Sequence, residues 1–173
     1  RYCLPRGDPI AELSHWGSLS LASQWIGAVR ALRDELQGKR LLWLLICSGP
    51  RTYRFLPVFF RRFVPHHAGS PALARNLLHE LAHARYGDGF DHRTGLVHLT
   101  DPQRLRPEIR DLPGVRRDRH VDLFHALNPH ADEGDELACL ADLSDDNLTR
   151  AGWRMVRAFE RDALQVPQKA VAT

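Results

Sequence analysis

His79-Glu80-Leu81-Ala82-His83 is a literal HExxH. On a helix, its two histidines stand one turn apart and face the same way, so both imidazoles can reach one Zn²⁺. Glu80 would then serve as the base that deprotonates a metal-bound water. A zinc site also needs a third protein ligand. His92, beyond the Gly87–Gly89 turn, is the nearest candidate; Glu108 and Asp111 are further ones. At about 100° per residue, His79 and His83 point nearly opposite a Leu73/Leu77/Leu81/Ala84 stripe. A pair facing a cleft would do that, and so would an ordinary solvated face. Arg85 puts a cation two residues past the second histidine, which opposes metal binding.

A zinc peptidase of the metzincin pattern has a glycine three residues past the second histidine and a third histidine six past it. Tyr86 and Gly89 stand there instead. A second set of chemical side chains is Arg51, Tyr53 and Arg54. They follow the apolar run Leu41–Cys47 and its Ser48-Gly49-Pro50 break. Ligands of α/β proteins gather at such strand ends, where two cations could bind substrate. A phenol there can protonate a leaving group or simply pack in a core.

These residues need elements to hold them. Leu21, Ala22, Trp25, Ile26, Val29, Leu32 and Leu36 predict an amphipathic helix, with Ser18 or Ser20 as cap and Gly38 as stop. Leu41–Cys47 is apolar on both faces, as expected of a central strand covered on both sides. Thr52–Phe63 predicts one aromatic and basic helix that tolerates Pro57 near its first turn. Ser70-Pro71 starts a helix that runs through Tyr86 and stops at Gly87. A short strand is predicted within 94–99, a helix over His120–Leu127, and a strand over Glu136–Leu143. Asp145-Asp146-Asn147 is expected to cap a final helix with a Trp153/Val156/Phe159/Ala163 stripe. Residues 1–17 read as turns. Residues 100–118 carry three prolines and no period, and a connection this long suggests a functional loop.

The 173 residues suit one domain, taken here as 1–166 with a frayed tail at 167–173. A hydrophobic content of 43% argues against wholesale disorder. The 24 basic and 21 acidic residues nearly balance, which argues against nucleic-acid binding. No apolar run approaches the roughly 20 residues of a membrane helix, so no membrane partner is expected. No charged-then-apolar leader is seen. Cys3, Cys47 and Cys139 are too scattered for a disulfide framework, and the last two read as buried thiols of a reducing, cytoplasmic compartment. The pattern is an α/β (α+β) mixture with few strands for its length. Residue 1 is Arg, so the reading expects a sheet completed by residues before it.

LLWLLICSGPRTYRFLPVFFRRF at 41–63 resembles a mostly uncharacterised bacterial group of GNAT-like (acetyltransferase-fold) proteins. So does the stretch with Asn128-Pro129, Gly134-Asp135-Glu136-Leu137, Cys139-Leu140 and Asn147-Leu148. The resemblance implies a GNAT-like mixed sheet flanked by helices, with Leu41–Cys47 as fifth strand and Thr52–Phe63 as fourth helix. The first four strands would precede Arg1. It also implies an acyl-CoA or acyl-carrier-protein thioester as donor. Trp16, Gly17 and Ser18 would form the phosphate-facing turn, Arg51 and Arg54 would lie near substrate, and Tyr53 would protonate the departing thiolate. The acceptor would be a small-molecule amine. The usual Gln/Arg-x-x-Gly-x-Gly/Ala turn is replaced by His15-Trp16-Gly17-Ser18-Leu19-Ser20, a departure that speaks against acetyl-CoA and leaves a bulkier acyl carrier or no acyl donor at all.

Three functions follow in order: an N-acyltransferase, a small zinc hydrolase using His79, His83, His92 and Glu80, and a non-catalytic fragment or interaction module presenting 100–118. The second alone takes zinc.

Overall fold

The computed structural model describes residues 2–4, 19–36, 39–100 and 118–165. The chain is a mixed α/β structure in which one sheet is covered by helices on both faces. Its strands are β1 (Tyr2–Leu4), β2 (Leu41–Cys47), β3 (Phe63–Val64), β4 (Phe90–Asp91), β5 (Leu96–Val97) and β6 (Glu136–Asp142). Its α-helices are α1 (Leu19–Glu35), α2 (Pro50–Tyr53), α3 (Phe55–Phe59), α4 (Ala72–Tyr86), α5 (Arg119–Leu127) and α6 (Arg150–Gln165).

The strand order is β1-β2-β6-β5-β4, with β3 pairing beside β5 along the same edge of β6. β1 is parallel to β2, with Tyr2 opposite Leu41 and Leu4 opposite Trp43. β2 and β6 are antiparallel over their whole lengths, from Leu42 opposite Asp142 to Cys47 opposite Leu137.

Period-two alternation sorts these two strands into two cores. Leu41, Leu45 and Cys47 of β2, with Leu137, Cys139 and Ala141 of β6, face Ile26 and Val29 of α1, Leu56 and Phe59 of α3, Phe124 of α5, and Met155 and Val156 of α6. Leu42, Leu44 and Ile46, with Ala138 and Leu140, face Leu78 and Ala82 of α4. Both faces of β2 are therefore buried, as its unbroken apolar run predicts. The thiols of Cys47 and Cys139 are buried and unbridged, 3.8 Å apart. Among the described residues, no helix is long and apolar enough to cross a membrane.

Several expectations need correction. The stretch 52–63 is two short helices and a strand, not one helix. Phe60 leaves helical geometry after α3 (φ −123°, ψ 145°), and Phe63–Val64 then pairs with Leu140–Ala141. Edge pairing outweighs local helix preference there. The buried stripe of α4 is Leu78 and Ala82, flanked by Ala74, Leu77 and Leu81; Leu73 is 84% exposed in the first turn and Ala84 is exposed. Asp145–Asn147 forms its own 3₁₀ turn, and α6 is capped by Thr149, whose Oγ1 accepts from Gly152 N–H at 3.1 Å. Met155 joins Val156 in the buried face of α6, while Trp153 and Phe159 are half-buried. Finally, a strand does lie within 1–17: β1 is a parallel neighbour of β2. The 100–118 loop and the tail lie outside the described residues, apart from Thr100 and Asp118.

Candidate functional site

The C-terminal end of β2 leads through Ser48-Gly49 into α2, with Pro50 at the first helical position, where a missing N–H costs nothing. α2 packs against α5. This brings Arg51, Tyr53 and Arg54, which the sequence singles out, next to the start of a helix far along the chain.

Tyr53 is fully buried. Its ring meets Phe63 edge-on at 6.1 Å and lies 5.8 Å from Phe124. Its hydroxyl donates to the carbonyl oxygen of Pro65 at 2.8 Å. Burial, reinforced by the nearby Cys139 and Cys47, pushes its phenol well up. The group stays neutral: a good hydrogen-bond donor and a reluctant acid. Arg54 reaches across to Asp118, its Nη2 3.3 Å from Oδ2. Asp118 caps α5, its Oδ1 accepting from the N–H groups of His120 (2.9 Å) and Val121 (3.1 Å). Burial pushes the Asp118 carboxyl up, but those two N–H groups and Arg54 outweigh it and hold the carboxyl below its usual range. Arg51 is half-buried on α2.

Around this corner three histidines converge. Pro65 follows Val64 through a cis peptide bond, and His66 and His67 come directly after it. The loop is fixed by His66 N–H donating to Ser70 Oγ (3.1 Å) and by Ala68 N–H donating to His66 Nδ1 (3.1 Å). His120 sits in the first turn of α5. Ring centroids are 4.2 Å apart for His66 and His67, 4.5 Å for His67 and His120, and 5.5 Å for His66 and His120. One nitrogen from each ring can be chosen so that all three lie within 4.8 Å of one another. The Nδ1 atoms of His67 and His120 are buried without a hydrogen-bond partner among the described residues. Burial, then the neighbouring His67, lowers both the His66 and the His120 imidazolium below the ordinary histidine value. For His120, Asp118 pulls the other way without prevailing.

The HExxH histidines are elsewhere, on α4 against the opposite core. His79 is half-buried, while Glu80, His83 and His92 are exposed. His92 lies 5.8 Å from His79 and 4.9 Å from His83, ring centre to ring centre. Burial, then His92 and Arg75, lowers the His79 imidazolium. Arg85 lies over the ring of Tyr86. Among the described residues, His66, His67 and His120 are the trio whose ligand atoms all approach within 4.8 Å; His79, His83 and His92 do not meet that distance. Trp16, Gly17 and Ser18 lie outside the described residues, as do Glu108 and Asp111.

The histidine trio is the feature that sequence reasoning missed. Its only local signal is the His66-His67 doublet after Pro65. His120 comes from a distant helix, and no spacing rule links them. Comparison with known proteins finds no matching family model, no matching curated protein and no matching solved structure.

Proposed function

We propose that this chain binds an acyl thioester, of CoA or of an acyl carrier protein, and transfers the acyl group to a small-molecule amine. The observation that carries the reading is the parallel β1–β2 pair joined through α1. Over its described residues Tyr2–Leu4, β1 pairs with Leu41–Trp43. β2 continues through Cys47 to the turn that carries Arg51, Tyr53 and Arg54. A parallel strand–helix–strand unit of this kind offers the N–H groups at its helix N-terminus to the phosphates of such a donor.

In the reaction the amine nitrogen attacks the thioester carbonyl carbon. The new C–N bond forms, the C–S bond breaks, the amine gives up a proton and the thiolate takes one. Holding the two reactants together supplies much of the rate. The Tyr53 hydroxyl already serves Pro65, and burial makes it a weak acid, so water is the better source of the thiolate's proton. Tyr53 then shapes the corner that Arg51 and Arg54 line.

Calorimetric titration with acetyl-CoA, a long-chain acyl-CoA, CoA and an acyl carrier protein thioester tests this. Binding of at least one acyl-CoA with stoichiometry near one supports it, with the longer chain favoured. Absence of binding by every donor, including an acyl carrier protein thioester, would end it.

A further inference from the structure

We propose that His66, His67 and His120 form a binding site for a divalent transition metal ion of the zinc class, separate from the HExxH on α4. Three imidazoles from two segments distant in sequence place ligand atoms within 4.8 Å of one another. Nitrogens bound to one zinc at about 2.0–2.1 Å stand roughly 3.3 Å apart in a tetrahedron, so small side-chain turns close the gap.

Chemistry supplies a second, independent observation. Buried polar nitrogens normally have partners, yet Nδ1 of His67 and Nδ1 of His120 have none among the described residues. A neutral imidazole has one lone pair, and the tautomer that puts it on the unpartnered buried nitrogen offers it to a cation of borderline softness.

The surrounding structure holds the rings. His66 and His67 follow Pro65, whose carbonyl is tied to Tyr53. His120 is fixed by the cap that Asp118 provides, and Asp118 by Arg54. Tyr53 and Arg54 are thus positioning residues for the trio. Metal entry requires one exchange. Ala68 N–H donates to His66 Nδ1, so the neutral ring carries its proton on Nε2. To ligate, His66 must free Nδ1 or move its proton there; either way the Ala68 N–H turns to water, which reaches that exposed residue. Three histidines leave a fourth position for water or a small anion, as in zinc sites that keep an open coordination place.

The test uses the whole chain, stripped with chelator, reloaded with Zn²⁺ and desalted. Metal content is then measured beside His67→Ala, His120→Ala and His83→Ala. The expected result is one equivalent in the parent and in H83A, and at least tenfold weaker Zn²⁺ binding in H67A and H120A. Circular dichroism of each variant identifies any that fails to fold. Because a folding failure would blur the comparison, Co²⁺ is also titrated into the unmodified chain, where intense visible bands of a four-coordinate site are expected. Loss of metal in H83A with retention in H120A would overturn the proposal in favour of the HExxH. So would a parent that keeps no zinc and gives only the weak spectrum of hydrated Co²⁺.

Discussion

Tyr53 Oη and the carbonyl oxygen of Pro65 lie 2.8 Å apart, and the hydroxyl donates. One residue is on α2 and the other opens the loop bearing His66 and His67, so this single bond joins the end of β2 to the histidine corner. Replacing Tyr53 with Phe keeps the ring against Phe63 and Phe124 and removes only the bond. A buried hydrogen bond contributes about 1 kcal/mol net. Tyr53→Phe should therefore lower stability by about that amount in urea denaturation. Under the histidine-trio proposal it should also weaken Zn²⁺ binding, because the lost bond anchors the loop that bears His66 and His67. Under the acyl-transfer reading, donor affinity should stay near that of the parent. A turnover lost completely with Zn²⁺ affinity untouched would instead make the hydroxyl a direct proton donor.

Asn147 is the main polar stitch of the fold. It is fully buried; its Nδ2 donates to the carbonyls of Arg62 (2.8 Å) and Asp142 (2.7 Å), and its Oδ1 accepts from Arg62 N–H (2.7 Å). The chain beyond β6 is thereby tied to the turn before β3. Three bonds at about 1 kcal/mol each set a loss of roughly 3 kcal/mol for Asn147→Ala. Asn147→Asp has nearly the same shape but cannot donate to either carbonyl, so it should cost at least as much at pH 7. Equilibrium unfolding of both variants decides the matter; an Asp variant within 1 kcal/mol of the parent would mean that shape, not hydrogen bonding, fills this site.

Gly27 marks a close approach of α1 to α6. A Cβ built there would stand 2.2 Å from the ring of Phe159. Alanine in a helix interior is ordinarily favoured over glycine by about 1 kcal/mol. Here the overlap wins, because forcing the helices apart costs about 1–3 kcal/mol. Gly27→Ala should therefore destabilise by up to about 2 kcal/mol despite its better propensity. Combining it with Phe159→Leu should cost less than the sum of the two single changes, a coupling that a double-mutant cycle reads directly.

The sequence carries the parts of this fold that have a period or a continuous apolar face. β2 and β6 are legible because both of their faces are covered, and α1, α5 and α6 because their apolar residues recur at helical spacing. β5 lies within the short strand expected over 94–99, but β3 and β4, two residues each, are not legible. No period exists in two residues, and such strands form because a neighbour's edge is there to pair with. Reading the α4 stripe at Leu73 instead of Leu78 and Ala82 has a related cause: Leu73 is helical but sits at the end of α4, where no sheet lies beneath it. The candidate site divides the same way. Tyr53 and Arg54 stand out from their place after β2. The histidines they position do not, because His120 reaches His66 and His67 only through the packing of α2 on α5.

Asp145 binds α1 to the turn before α6. Its Oδ1 accepts from Arg30 at 2.7 Å and also contacts Arg33. Burial pushes the carboxyl up, but the hydrogen bond from Arg33 and the charges of Arg30 and Arg33 outweigh it, so the folded value lies below the ordinary one. The sign follows. A depressed folded value stabilises the native state above the unfolded value near 3.9, and the contribution is lost as pH falls through the folded value. The Asp145 side chain is 38% exposed, so solvent screens both pairs, and together they are worth about 1 kcal/mol or less. Asp145→Asn should thus lower stability by up to about that much at pH 7. The gap between parent and variant should narrow below about pH 4 and close once the folded carboxyl is protonated. It should also shrink in 1 M salt, where the screening length falls to about 3 Å. Urea midpoints across pH 2.5–7 at two salt concentrations would check all of these trends, and a gap that widened toward acid would show that Asp145 is stabilised as the protonated acid instead.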